Sequence, residues 1–196
     1  MRARAAAGTL FAAFLLAGAA PFLPAQELSV SAGAGGFRPA AGLYRDIYGS
    51  AAAWGVSAWL TLRNHLGFAA GLDTLADDGL AVGPGAPAGY PLTFRRITIP
   101  VIAYYELGFG RLAVRLGAGG GLHMFRERWR TVDLSYGGRE ISTRVTMAVS
   151  LRIFKGLSLF GSAVYEPIRA GESSPNWDRV RIGGFQVLGG LAFRVF

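Results

Sequence analysis

The sequence predicts an all-β fold: an eight-stranded antiparallel up-and-down transmembrane β-barrel, preceded by a cleavable signal peptide. Three observations carry this prediction: the character of the N-terminus, a period of two in the hydrophobic pattern, and an alternation of short and long connections. The chain has 196 residues, 52% of them hydrophobic and only 16% charged, which excludes a disordered chain. The absence of cysteine excludes disulfides, thiolate metal sites and cysteine nucleophiles.

The N-terminal residues have the pattern of a secretory signal peptide. The first four residues contain two arginines, residues 5–20 carry no charge, and Ala25 is a small residue at the expected cleavage point. The apolar run is shorter than the ~20 residues that a membrane-spanning helix needs. We therefore expect residues 1–25 to be the signal peptide and residues 26–196 to form the barrel domain. Export also argues against nucleic acid as the partner of this basic chain, whose formal charge is +8.

Eight segments of the remaining chain alternate apolar residues with small, polar or charged ones. In one of them Ile97 and Ile99 alternate with Thr98 and Pro100. Successive side chains of a strand point to opposite faces, so each segment has an apolar side and a mixed side. The segments are 27–37, 51–63, 65–75, 92–107, 110–125, 139–154, 157–167 and 179–196. Each is long enough to cross a bilayer as a tilted strand of ~10 residues.

The charged residues inside these segments fall on the mixed side. They are Arg63, Asp73, Glu106, Arg111, Arg115, Arg144, Arg152, Glu166 and Arg194. A soluble sandwich or lipocalin-like barrel has the same alternation, so the connections must separate the two folds. Short connections follow the second, fourth and sixth segments, whereas residues 38–50, 76–91, 126–138 and 168–178 form long polar ones. This order is typical of outer-membrane barrels, which have short periplasmic turns and longer external loops.

The stretch Ile97-Thr98-Ile99-Pro100-Val101-Ile102-Ala103-Tyr104-Tyr105 and the terminal Phe196 resemble the small eight-stranded outer-membrane barrels of the OmpA/OmpX type. The resemblance covers nearly all of the mature chain as topology. It implies the outer membrane of a Gram-negative-type cell as the location. It also implies outer-membrane lipid and lipopolysaccharide as surroundings, and Phe193 and Phe196 as a C-terminal signal for the barrel-assembly machinery. Because proline removes a ladder donor, we expect a local irregularity at Pro100.

The inward charges are the first candidate site. We expect a lumen charge network of Glu106, Arg115, Arg152, Glu166 and Arg194. The interior of an eight-stranded barrel is only wide enough for side chains to fill it, and buried charges must be paired. One interpretation is a salt-bridged plug. The alternative is a narrow, anion-favouring or gated pore.

A basic run opens the third long connection and is the second candidate site. Arg126, Arg128 and Arg130 are candidate contacts for lipopolysaccharide, since arginine binds phosphate in a bidentate manner. The pairs Arg95-Arg96 and Arg179–Arg181 are expected at the same outer rim. The alternative interpretation is a solvated loop.

The sequence predicts no catalytic residue and no metal site. Barrel enzymes that deacylate lipid A place a serine two residues after their histidine, but Phe125 takes that position after His123. His123 is therefore interpreted as a hydrogen-bonded lumen residue. His65 lies in a turn at the opposite end, which excludes a shared metal ion. The aspartates between residues 73 and 78 lack the spacing of a calcium loop.

Together these features predict a non-enzymatic outer-membrane β-barrel with a filled, salt-bridged lumen. We expect it to act as a structural or surface-interaction element of the Gram-negative envelope. The alternative is a small pore of the porin class or a conduit for a hydrophobic solute; a lipid A-modifying hydrolase is a third hypothesis. We expect a monomer with no cofactor and no nucleic-acid partner.

Overall fold

The computed structural model describes residues 25–83, 86–131, 133–168 and 182–196. Within them, eight antiparallel strands pair in chain order and the last pairs with the first, which closes a barrel. The strands are β1 (Ala25–Pro39), β2 (Ala51–Leu62), β3 (Leu66–Gly83), β4 (Ala86–Phe109), β5 (Leu112–Trp129), β6 (Leu134–Phe154), β7 (Leu157–Glu166) and β8 (Gly184–Arg194). The predicted fold class is confirmed.

Some of the predicted segments fall outside this description. Apart from Ala25, which begins β1, the predicted signal peptide lies outside the described residues. So do residues 169–181, which include most of the connection predicted at 168–178 and the arginines at 179 and 181. Among the described residues, no helix has the length and apolar character needed to cross a membrane.

The two faces of the barrel are inverted relative to a soluble protein. Ile97 and Val101 of β4 are 41% and 59% exposed on the outer surface, whereas Arg115 of β5 is only 3% exposed and points inward. Alternation along each strand produces this arrangement, because the charged residues have the parity opposite to the large aliphatic ones. An apolar outer surface around a polar interior is the arrangement of a transmembrane barrel.

One end of the barrel carries three short turns, and we call it the turn end. Residues 63–65 join β2 to β3, residues 110–111 join β4 to β5, and residues 155–156 join β6 to β7. Each turn contains one residue of positive φ: His65 (65°), Gly110 (66°) or Gly156 (82°). Glycine adopts a positive φ at no steric cost, so in two of the three turns the residue type suits the backbone conformation. The opposite end is the loop end.

Two of the predicted long connections are wrong. Residues 76–91 and 126–138 are mostly strand: β3 continues to Gly83 and β4 begins at Ala86, while β5 continues to Trp129 and β6 begins at Leu134. The β3–β4 and β5–β6 ladders pair residues throughout both extensions. Polar composition marks the level where the strands leave the apolar belt. It does not mark the end of the sheet, because ladder hydrogen bonds form equally well beyond the belt.

The connection between β1 and β2 contains one short helix, α1 (Gly42–Tyr48). Gly49 follows it with φ 70°, a conformation that favours glycine at the end of a helix. The amide of Gly49 donates to the carbonyl of Arg45 at 2.8 Å. The sequence does not predict this helix, since the composition of residues 38–50 indicates a polar loop.

Two local predictions about the strands concern Pro100 and the C-terminus. The β3–β4 ladder pairs Ala70 with Val101 and Asp73 with Thr98 in the same register, so it shows no bulge at Pro100, although Pro100 has no partner in that ladder. At the C-terminus, the amide of Leu28 donates to the carbonyl of Phe196 at 3.1 Å, which continues the β1–β8 contact past Arg194. Phe193 and Phe196 are both exposed. Their role in assembly stays a prediction.

Candidate functional site

Four charged side chains meet across the loop half of the lumen, and we call them the ion cluster. They are Asp73 of β3, Arg96 of β4, Arg144 of β6 and Glu166 of β7. Arg144 contacts Asp73 Oδ2 at 2.6 Å and Glu166 Oε1 at 2.5 Å, and Arg96 contacts Glu166 Oε2 at 3.1 Å. All four are buried. The two positive and two negative groups balance, which is the condition for burying charge in a lumen.

Arg96 departs from the predicted position. The sequence predicts it at the outer rim beside Arg95, but it is buried, donates to the carbonyl of Ile182 at 3.3 Å and stacks over Phe37 at 4.6 Å from the ring centroid. Neighbouring residues of a strand point to opposite faces, so only one of two adjacent arginines can be outward. Thr98 and Glu106 are predicted on the inward face, and Arg96 lies two residues before Thr98 in the same strand. The same alternation would therefore have placed Arg96 inside.

A second group of charges occupies the turn end, and we call it the mouth cluster: Glu27, Glu106, Arg115 and Arg194. Arg115 Nε donates to Glu106 Oε2 at 2.7 Å, and its Nη2 lies 3.7 Å from Glu27. Arg194 pairs with the other oxygen of Glu27 at 3.3 Å. The guanidinium of Arg115 also stacks over Trp59 and Tyr104, with 5.3 and 5.8 Å to the ring centroids.

The predicted lumen network is thus not one network. Glu106, Arg115 and Arg194 belong to the mouth cluster, whereas Glu166 belongs to the ion cluster near the other end. Arg152 is exposed at the mouth and forms no ion pair with the described residues. Sequence reasoning assigns each side chain to the inner face but cannot group them, because grouping depends on the stagger between strands.

An aromatic layer separates the two clusters. It consists of Trp59, Tyr104 and Phe160, with Trp59 5.3 Å from Tyr104 and 5.9 Å from Phe160 between ring centroids. Each polar end has a partner: Trp59 Nε1 donates to Ser31 Oγ at 3.0 Å, and Tyr104 Oη lies 2.8 Å from Thr61 Oγ1. Satisfied polar ends allow these large rings to be buried in the lumen.

His123 is a fully buried lumen residue with two hydroxyl partners. Its Nδ1 lies 2.9 Å from Thr98 Oγ1 and its Nε2 lies 2.8 Å from Ser142 Oγ. The interpretation as a hydrogen-bonded lumen histidine is confirmed. Sequence reasoning misses Ser142 because it comes from the neighbouring strand. In a catalytic triad a carboxylate orients the histidine through Nδ1, but here a threonine hydroxyl takes that position.

The loop end is closed by an apolar group that we call the aromatic cap. Tyr44 and Tyr48 of α1 are buried against Phe94, with ring centroids 5.2 and 5.6 Å away. The buried residues of the cap are Phe37, Tyr44, Tyr48, Ala51, Ala53, Leu75, Leu92, Phe94, Phe125, Ile168, Ile182 and Leu188. Sequence reasoning misses this group, because it treats residues 38–50 as a polar loop although Tyr44, Ile47 and Tyr48 have the i, i+3, i+4 spacing of one helix face.

Glu127 anchors the cap to β5. The Tyr48 hydroxyl donates to Glu127 Oε2, and Trp129 Nε1 donates to Oε1 at 2.6 Å. Burial raises the pKa of this carboxyl, although the two donated hydrogen bonds act in the opposite direction. Glu127 lies beyond the apolar belt, where its two neighbours along the strand are outward-facing arginines.

Two of the candidate lipopolysaccharide contacts, Arg126 and Arg128, share the outward face of β5, the third, Arg130, directly follows the strand, and all three are exposed. Arg128 pairs with Asp133 at 2.8 Å and Arg130 with Asp78 at 2.7 Å. Arg126 has no ion pair among the described residues, and its cross-strand neighbour in β4 is Arg95, also exposed. Arg139 of β6 faces outward next to them.

No group of three or more His, Cys, Asp or Glu side chains in the described ranges could hold a metal ion. The site therefore consists of three features: charged clusters in the lumen, an aromatic cap and an exposed arginine face. With a closed eight-stranded ring and an inverted surface, these define a small transmembrane β-barrel.

Several solved structures are similar to this barrel in fold. Neisserial surface protein A matches with 17% identity over 85% of this chain and 96% of that chain, at a TM-score of 0.59. The outer membrane protein OprG from Pseudomonas aeruginosa matches with 8% identity over 88% and 97%, at 0.67. A major outer membrane protein from Thermus thermophilus matches with 16% identity over 86% and 98%, at 0.57. At these identities the likeness concerns the fold, which is that of small eight-stranded outer-membrane barrels.

No protein-family model matches the chain, and no curated protein matches it.

Proposed function

We propose that the chain is a non-enzymatic outer-membrane β-barrel whose lumen does not conduct, and that it acts as a structural or surface-interaction element of the envelope. The ion cluster is the observation that carries this proposal. Its side chains come from β3, β4, β6 and β7 and contact one another across the lumen at 2.5 to 3.1 Å. Separating them to admit a solute would leave buried charges unpaired, at a cost of several kcal/mol for each ion.

The location in an outer membrane has three supports. The outer surface carries a belt of exposed apolar residues, among them Phe68, Ile97, Val101, Val145, Val187 and Leu191. Closure joins all eight described strands in one hydrogen-bonded ring, which is what lipid requires of a β-structure. The neighbours in fold are themselves outer-membrane proteins.

Planar-bilayer recording of the refolded protein tests the closed lumen. We expect no reproducible open level at any applied voltage that the bilayer tolerates. A reproducible level, with an ion selectivity that changes in the Arg115→Gln variant, would replace this proposal with the small-pore alternative. A heat-modifiable band in the outer-membrane fraction, with none in the soluble fraction, is the expected test of location.

The exposed arginine face supports a contact with lipopolysaccharide phosphates. Arg95 and Arg126 are direct cross-strand partners, and like charges in that position destabilise a sheet unless an anion compensates them. Each lies two residues nearer the loop end than an apolar residue of the same face, Ile97 for Arg95 and Met124 for Arg126, and so about 7 Å beyond the apolar belt. Arg128 and Arg130 lie farther out and already have acidic partners.

A matched pair of variants tests this contact. Arg95→Gln/Arg126→Gln removes the unpaired arginines, whereas Arg128→Gln/Arg130→Gln removes the same charge from paired ones on the same face. We expect the first variant to lose most of the thermal stabilisation that lipopolysaccharide-containing nanodiscs give over zwitterionic ones, and the second to keep most of it. An equal loss of stabilisation in both variants would show that lipopolysaccharide is attracted by the general positive charge of this end and makes no specific contact with Arg95 and Arg126.

A further inference from the structure

The turn end contains a solvent-open cavity that none of the functions above uses. It has a volume of about 100 Å³ and lies between β1, β4, β5, β6, β7 and β8, and we call it the mouth cavity. Its charged lining residues are Glu27, Glu106, Arg111, Arg115, Arg152 and Arg194. Four guanidinium groups thus face two carboxylates.

The carboxylates of the mouth cavity are already engaged. Glu106 pairs with Arg115, and Glu27 pairs with Arg115 and Arg194. Arg111 and Arg152 form no ion pair with the described residues. They belong to neighbouring strand ends, since the amide of Arg152 donates to the carbonyl of Arg111 at 2.8 Å. Two positive charges without an ion-pair partner among the described residues therefore extend from adjacent backbone positions at the cavity wall.

The rest of the lining also favours an oxyanion. Arg115 is fixed at the floor by Glu106 and by stacking on Trp59, so it does not have to be ordered on binding. Ser150 and Ser158 line the same cavity, and Ser158 is the cross-strand partner of Arg152, so hydroxyl donors flank the guanidinium groups. A soluble phosphate dianion would neutralise both free arginines, and the phosphodiester of a lipid headgroup would neutralise one of them.

We propose that the mouth cavity is a binding site for a phosphate group, with Arg111 and Arg152 as its principal ligands. Guanidinium groups bind phosphate through paired N–H donors, and a partly enclosed site strengthens that attraction. The inference goes beyond the proposed function and is independent of the arginine face at the other end. The phosphate group has two sources at the turn end, a small soluble phosphate or the headgroup of an anionic phospholipid.

The test uses the full barrel in nanodiscs and follows the arginine side-chain resonances by NMR. One arm titrates inorganic phosphate into zwitterionic nanodiscs, with chloride at equal ionic strength as the reference anion. The other arm replaces the zwitterionic lipid with phosphatidylglycerol and adds no phosphate. The variant is Arg111→Gln/Arg152→Gln. The matched control, Arg63→Gln/Lys155→Gln, removes the same charge from the turn end without touching the cavity lining.

We expect a saturable shift in at least one arm, weakened about tenfold or more in the variant and about twofold or less in the control. A shift with inorganic phosphate identifies a soluble ligand, and a shift only with phosphatidylglycerol identifies a lipid headgroup. Absence of a saturable shift in both arms overturns the proposal. So does equal weakening in variant and control, because the effect would then be general charge attraction at this end.

Discussion

The hydroxyl of Tyr48 donates to the carboxylate of Glu127, which adds a polar contact to the aromatic packing between the only described helix and the barrel wall. Trp129 binds the other carboxylate oxygen from two residues along the same strand. Gly79 of β3 leaves the space that the Tyr48 ring occupies, since a Cβ there would lie 2.5 Å from it. The aromatic cap therefore depends on an ionisable group and on a glycine, and both can be changed separately.

Glu127 should make the stability of the barrel depend on pH. Burial raises its pKa in the folded protein above the ordinary value of 4.5, so the protonated form is favoured by folding. That contribution is fully present below the unfolded pKa and is lost as the pH rises through the folded pKa. We expect the urea midpoint of the wild type, relative to Glu127→Gln, to fall as the pH is raised from about 4 towards neutrality.

The control for this experiment is Asp46→Asn, which neutralises an exposed carboxylate on α1 itself. It shows how much of the change follows from removing any one negative charge from α1, and the change in Glu127→Gln should be the larger of the two. A wild type and a Glu127→Gln variant that stay parallel throughout would show that Glu127 does not titrate differently in the folded and unfolded states.

Gly79→Ala should displace the aromatic cap. The new methyl group would meet the Tyr48 ring at 2.5 and 2.7 Å and the Ile47 carbonyl at 2.9 Å, so α1 must move or the ring must leave. Overpacking of this kind costs about 1–3 kcal/mol. We expect the urea midpoint, followed by tryptophan fluorescence, to fall accordingly. Gly108→Ala is the matched strand variant, because a Cβ there meets nothing within 4 Å, and it should leave the midpoint nearly unchanged.

The parts of this molecule that could be predicted are those that depend on local alternation. The parity of a strand decides which side of the wall a residue faces, so the inward positions of Glu106 and Arg115 followed from sequence alone. The pairing of Arg144 with Glu166 depends on the stagger between strands, which single-strand patterns do not contain. The burial of Tyr44 depends on a packing partner far along the chain, Phe94.

The ion cluster should behave as a coupled unit. Arg144→Gln removes the group that contacts both Asp73 and Glu166, leaving two buried acids for one arginine. Breaking a buried pair in this way destabilises by about 3–5 kcal/mol. Asp73→Asn/Arg144→Gln restores the charge balance, because Arg96 and Glu166 remain paired. We expect the double variant to have a higher urea midpoint than Arg144→Gln alone. If the loss of stability in the double variant equals the sum of the losses in Asp73→Asn and Arg144→Gln, the charges of the ion cluster act independently.

Opening the loop end should not open the barrel. Tyr44→Ala/Tyr48→Ala removes the rings by which α1 is packed into the cap, so solvent would reach Phe94 and Phe125. Below them the ion cluster and then the aromatic layer still cross the lumen, and neither depends on α1 for its contacts.

We therefore expect this variant to have a lower urea midpoint and yet no open level in planar bilayers, like the wild type. The two layers are in series, so the barrier remains while either is intact. A variant that conducts where the wild type does not would identify α1 as the gate of a pore. The transport alternative would then describe the lumen better. Conduction requires the four charges of the ion cluster to separate, so the cost of breaking their ion pairs would not have kept the lumen closed.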